Sequence, residues 1–258
     1  MSEKNRDGKR NARERLAVVR EKQKAAEKRR RALIVGASVV CVLGLAAVIG
    51  VVAANSGKDK KSEASGPVVT PSGATGKDGL AIPVGKDGAG STLTVWEDFR
   101  CPACKAFETA YRPTLKELTD SGKLRVEYHL VTLIDGNMGG SGSRRSANAA
   151  ACAQDAGKFR EYHDVLFENQ PEETDDAFAD NAKLIELAGK VDGLDTPAFR
   201  ACVNDGTHDS WVEKSNAAFQ AGGFSGTPTV LFEGKNIYAD QSMTPAKLKQ
   251  MVEEANQG

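Results

Sequence analysis

The sequence predicts an α/β layered domain carried behind a single membrane-spanning helix. Three observations point to this. Residues 32–54 form an apolar run of 23 positions without a charge. From residue 81 onward, β-branched runs and helical patterns follow in the order strand, helix, strand, helices, strand, strand, helix, as a layered α/β domain requires. The charge is also divided: the 258 residues carry 35 basic and 35 acidic side chains, yet residues 1–31 hold 13 Lys/Arg against 5 Asp/Glu, which leaves 22 against 30 for the rest. Five cysteines are too few for a small disulfide-stapled scaffold, and 26 Gly with 9 Pro too few for a collagen-like or wholly disordered chain.

The apolar run has no polar face, and at 1.5 Å per residue it spans about 35 Å, enough for a hydrocarbon core of about 30 Å. Lys28, Arg29, Arg30 and Arg31 stand at its leading edge, whereas only Lys58, Lys60 and Lys61 follow closely. The positive-inside rule then places the leader, 1–31, in the cytoplasm and everything beyond residue 54 outside. The leader lacks aromatic residues and interleaves its bases with Glu14, Glu21 and Glu27, which fits a topology signal near anionic headgroups and no nucleic-acid partner. An uncleaved anchor is the expectation. Signal cleavage before Asn55, with Val52 and Ala54 at the preceding small-residue positions, is the alternative. Cys41 reads as a small apolar residue of the span. Residues 55–80, rich in Gly, Ser, Lys and Pro, read as a flexible linker.

In the domain, 81–258, residues 91–99 (STLTVWEDF) read as a strand running into Cys101-Pro102-Ala103-Cys104. Residues 105–118 follow as a helix with Phe107, Tyr111, Leu115 and Leu118 on one face and a kink expected at Pro113. A second strand is expected over 124–133, then a Gly-rich loop, DGNMGGSGS, then helices over 143–221 broken near Pro171, Gly193 and Gly206. Residues 229–232 read as a strand, 237–239 as its hairpin partner, and 244–255 as a closing helix with Thr244 as N-cap and Pro245 at its first position.

The string VWEDFRCPACKAFE, Gly-Thr-Pro-Thr at 226–229 and the helical block between them resemble the DsbA-like thiol:disulfide oxidoreductases of the thioredoxin superfamily. The resemblance implies a thioredoxin-like fold interrupted by a helical insertion at about 143–222. It also implies that Thr227-Pro228 is a cis-proline loop facing the cysteines, where the Thr227 backbone pairs with an extended substrate segment. Reduced exported proteins are the implied substrates, and a quinone-linked membrane enzyme, DsbB-like or vitamin K epoxide reductase-like, the implied reoxidase. No cofactor is expected.

The chemistry can also be argued from the residues. Exchange needs a thiolate, and Cys101, between strand and helix, meets the unpaired amides and positive end of the helix. Cys101 is the expected nucleophile and Cys104, one turn further in, the expected resolving thiol. Metal binding by CxxC normally needs two more ligands at matching spacing, and His129, His163 and His208 are scattered. Each is expected at the polar surface or in a hydrogen bond. The family's buried carboxylate six residues before the first cysteine is replaced here by Val95; Glu97 and Asp98 lie close, which leaves the proton acceptor for Cys104 open. With carboxylates nearby and no charge in Pro102-Ala103, an oxidant milder than the strongest of the family is expected. Cys152 and Cys202, in an oxidising compartment without other partners, are expected to form a structural disulfide. An isomerase or reductase, or a tethered binding protein such as a metallochaperone, are the alternative functions.

Overall fold

The computed structural model describes residues 67–240 and 242–257. The expected leader, the 32–54 span with Cys41 and the first part of the linker lie outside the described residues. Among the described residues no helix is long and apolar enough to cross a membrane.

In chain order the elements are β1 (Ile82–Val84), β2 (Ser91–Glu97), α1 (Pro102–Asp120), β3 (Leu124–Leu130), α2 (Leu133–Met138), α3 (Gly142–Asp155), α4 (Phe159–Glu168), α5 (Asn181–Ala188), α6 (Pro197–Asp205), α7 (Asp209–Ala221), β4 (Thr229–Phe232), β5 (Lys235–Asn236) and α8 (Pro245–Ala255). The five strands make one sheet in the order β1-β3-β2-β4-β5, with β2 parallel to β3 and the other pairs antiparallel. The central strand β2 pairs Val95 with Tyr128 on one side and with Val230 on the other. Its Leu93 and Val95 are fully buried, as expected of a strand at the middle of a sheet. α1 lays Cys104, Phe107, Tyr111, Leu115 and Leu118 into the core at helical spacing. Five helices, α3 to α7, form the insertion between β3 and β4.

α1 runs as one helix through Pro113, with packing along its buried face sustaining it past one missing amide. Several expectations are corrected. The Gly-rich stretch is not a plain loop: it holds α2 and the start of α3. The amides that open α3 are capped from a distance. Asp176 accepts from Ser141 and Gly142, both at 2.9 Å, and Asp135 from Ser143 and Arg144 at 2.9 and 3.0 Å. Buried Arg100 ties the two carboxylates together, at 2.7 Å from Asp135 and 2.9 Å from Asp176. Asp176 comes so close that a Cβ on Gly140, at φ +95°, would clash with its carboxylate.

The hairpin partner of β4 is Lys235–Asn236 rather than 237–239. Glu233 and Gly234, at φ 47° and 78°, turn the chain in two residues, which shortens the connection and leaves Ile237 to enter the core. β1 was not expected. It is three residues long, too short to show alternation.

The linker reading fails from residue 67 onward, since this segment docks on the insertion. His208 bonds the Val69 carbonyl at 2.7 Å, Ser72 N–H donates to Asp155 at 2.7 Å, and the Trp211 indole donates to the Gly79 carbonyl at 2.8 Å. Leu80 is buried behind them. A polar segment with few apolar side chains is held through its backbone, which composition does not reveal.

Cys152 on α3 and Cys202 on α6 are joined by a disulfide across a separation of 50 residues, with Cα atoms 5.9 Å apart. At the C-terminus the Thr244 hydroxyl accepts from Lys247 N–H at 3.2 Å, and Pro245 opens α8.

Candidate active site

β2 delivers the chain to a turn in which Cys101 N–H donates to the Asp98 carbonyl at 3.0 Å. Cys101 keeps an extended backbone and is the N-cap of α1; Pro102, whose ring nitrogen has no proton to leave unpaired, is the first helical residue. Pro102 and Ala103 are exposed, Cys101 retains 6% exposure and Cys104 none. Both thiols are free. The Thr227–Pro228 peptide is cis, and the Thr227 carbonyl accepts from the Cys101 thiol at 3.2 Å. Beside it runs a cavity of about 370 Å³ lined by Phe224, Thr227, Pro228, Asn236 and Tyr238.

The two thiols are electrostatically unlike. A hydrogen bond from Cys104 is the largest influence on Cys101; burial opposes it, and the amides of Cys104 and Ala103 add to it, lowering the Cys101 pKa from 9.0 to about 6. Burial drives the Cys104 pKa well above the ordinary thiol value, and its donation to Cys101 pushes the same way. The arrangement separates an exposed-edge thiolate from a buried thiol, which is what ordered exchange requires.

The two nearby carboxylates differ as well. Asp98 spends both oxygens on backbone amides, accepting from Arg100 at 2.8 Å and from Ile134 at 2.9 Å, and burial pushes its pKa up to about 7. Glu97 is also fully buried, bonds His163 Nε2 through Oε1 at 2.8 Å, and has no hydrogen-bond partner at Oε2. Its charge reaches Cys104. Burial alone would lower the His163 pKa, but the adjacent Glu97 outweighs it and raises it to about 10. His129 stacks on Trp96 at 3.9 Å and burial lowers its pKa to about 4. None of the three histidines lies at the polar surface.

Two groups escaped the sequence reading. Gln170, from the insertion, donates to the carbonyls of Phe99 and Cys101 at 2.8 and 3.0 Å and pins the loop that carries the nucleophile. Glu108 is buried on α1 and burial pushes its pKa up to about 8. A readable signal did exist for Glu108, because it falls in phase with Cys104, Tyr111 and Leu115 on the apolar face.

The thioredoxin family model matches residues 77–254. A disulfide bond oxidoreductase (DsbG) of Mycobacterium tuberculosis, in reduced form, is 31% identical with a TM-score of 0.61, covering 72% of this chain and 90% of that one. Reduced DsbA of the same organism is 30% identical with a TM-score of 0.60, covering 69% and 93%. Disulfide bond formation protein D of Bacillus subtilis is 27% identical over 180 residues, 68% of this chain and 77% of that protein. With a dithiol at a helix N-terminus facing a cis-proline, the chain belongs to the thioredoxin family as a DsbA-like protein disulfide oxidoreductase.

Proposed function

We propose that this protein works outside the cytoplasmic membrane, tethered by residues 32–54, and donates disulfides to reduced exported proteins. One observation carries the direction of electron flow: the Cys101 thiolate is stabilised while Cys104 stays a buried thiol. With a pKa of about 6, roughly nine in ten reduced molecules hold Cys101 as thiolate at pH 7. Whatever stabilises that anion stabilises the reduced form, so the oxidised pair tends to accept electrons.

Oxidation of a substrate then runs in two steps. A substrate thiolate attacks Cys101 Sγ of the Cys101–Cys104 disulfide; a mixed disulfide forms and Cys104 leaves, taking up a proton. The second substrate thiolate attacks the substrate sulfur of the mixed disulfide, and Cys101 leaves as the stabilised thiolate. Two electrons have moved to the cysteine pair and two substrate thiols have become one disulfide. We assign Glu97 as the group that exchanges a proton with Cys104, since Asp98 is committed to amides. The cis Thr227–Pro228 segment borders the cavity where an extended substrate would add as a strand. A quinone-linked membrane enzyme, DsbB-like or vitamin K epoxide reductase-like, would restore the disulfide.

Oxidation of a reduced model peptide tests the reading. Cys101→Ser should abolish it, and undiminished oxidation by that variant would falsify the proposed chemistry. Topology is tested separately: protease outside intact cells should cut near residues 55–66 and leave the leader protected, and a mature chain beginning at Asn55 would rule out the anchor.

A further inference from the structure

One layer beneath the dithiol, three side chains from three elements converge. Glu97 comes from the end of β2, Glu108 from α1 and His163 from α4. One donor atom of each lies within 4.8 Å of the other two. Their exposures are 0%, 1% and 2%. Two of their oxygens, Glu97 Oε2 and Glu108 Oε1, have no hydrogen-bond partner despite complete burial. A buried carboxylate oxygen without a partner is costly, and two around one imidazole call for a shared ligand that is electron-poor.

We propose that Glu97, Glu108 and His163 form a binding site for one divalent transition-metal ion of the Zn²⁺ or Co²⁺ type. The donor set contains one imidazole nitrogen and two carboxylates, borderline ligands that suit such ions, and three protein ligands leave a fourth position for water. Two carboxylates and a neutral imidazole also balance a dication. The ion replaces the proton between His163 Nε2 and Glu97 Oε1, so binding releases protons and, by occupying Glu97, withdraws that carboxylate from proton exchange with Cys104.

The surroundings match a built site. A metal-ligating histidine usually gives its second ring N–H to a carboxylate, and His163 Nδ1 faces Asp164 Oδ1 at 3.5 Å. Asp164 is itself held by Arg112 Nε at 3.1 Å. An approach is present too. A cavity of about 190 Å³ is lined by Glu108, His163 and Asp164 together with the exposed side chains of Lys116 and Glu161. No cysteine belongs to the donor set, so the site should fill equally whether Cys101 and Cys104 are reduced or joined. That property separates it from metal capture by CxxC.

The test uses the full chain with Cys101 and Cys104 oxidised, which removes both thiols as ligands. Titration with Co²⁺ should reach one equivalent, develop a visible ligand-field band, release protons and be reversed by Zn²⁺. Glu108→Gln and His163→Gln should each abolish the band while circular dichroism shows the fold retained. Asp164→Asn, a milder change at a half-buried position, should weaken binding by about 10- to 100-fold. Absence of stoichiometric Co²⁺ binding by the oxidised chain overturns the proposal, as does a band that persists in both ligand variants. Should the ligand variants fail to fold, unchanged affinity in Asp164→Asn overturns it as well.

Discussion

The protein holds two cysteine pairs whose chemistry is opposite in a way that burial does not explain. Cys101 and Cys104 are 6% and 0% exposed and free; Cys152 is 2% exposed and bonded to Cys202, which is only partly buried. Burial therefore does not set reactivity. The first pair stands at the opening turn of α1, where amides lack helical partners and can stabilise a thiolate. The second lies within α3 and α6, whose amides are engaged in their own helices, and it closes a loop of 50 residues. Position along a helix makes one pair an electron exchanger and the other a staple.

The strongest way to break this comparison is to remove one pair at a time. Cys101→Ser should eliminate disulfide transfer and leave the thermal transition of the reduced protein nearly unchanged at pH 5, where the thiolate contributes nothing. Replacing both Cys152 and Cys202 by Ser should do the reverse: urea unfolding should show a loss of about 4 kcal/mol, the chain-entropy value for such a loop, with peptide oxidation retained. Lost oxidation in a folded double variant would show that the insertion's staple shapes the site.

A smaller effect sharpens the contrast inside the reactive pair. Glu97→Gln should slow rapid-mixing exchange by roughly 100-fold through lost proton transfer at Cys104, while the Cys101 alkylation profile keeps its midpoint. A shifted midpoint with unchanged exchange would reassign Glu97 to Cys101.

The smallest effect is in the pH dependence. Because the folded-state pKa of Cys101 is depressed from 9.0 to about 6, its stabilisation of the reduced form is complete above pH 9 and disappears as pH falls through 6. Comparing urea unfolding of the reduced and oxidised forms, the reduced form should gain on the oxidised one between pH 6 and 8, and the advantage should vanish near pH 5. A difference that does not vary with pH would mean that α1 does not stabilise the thiolate.

Short-range patterns were legible in the sequence because their causes are short-range. A β-branched run ending in CPAC places a cysteine at a helix start, Thr244-Pro245 announces a cap, and helical spacing from Phe107 to Leu118 marks the buried face. Tertiary contacts decided the rest. The amides that open α3 are satisfied by Asp135 and Asp176, a carboxylate more than thirty residues away in the second case, so DGNMGGSGS looked like a loop. The chain from residue 67 to 80 is ordered by acceptors on its backbone, which His208 and Trp211 reach from beyond residue 200. Glu97, Glu108 and His163 are ordinary polar residues in the sequence and acquire their chemistry when β2, α1 and α4 close over them and exclude water. Composition and periodicity report what a residue prefers, whereas the electrostatics of a buried group depend on what packs against it, which only the folded chain specifies.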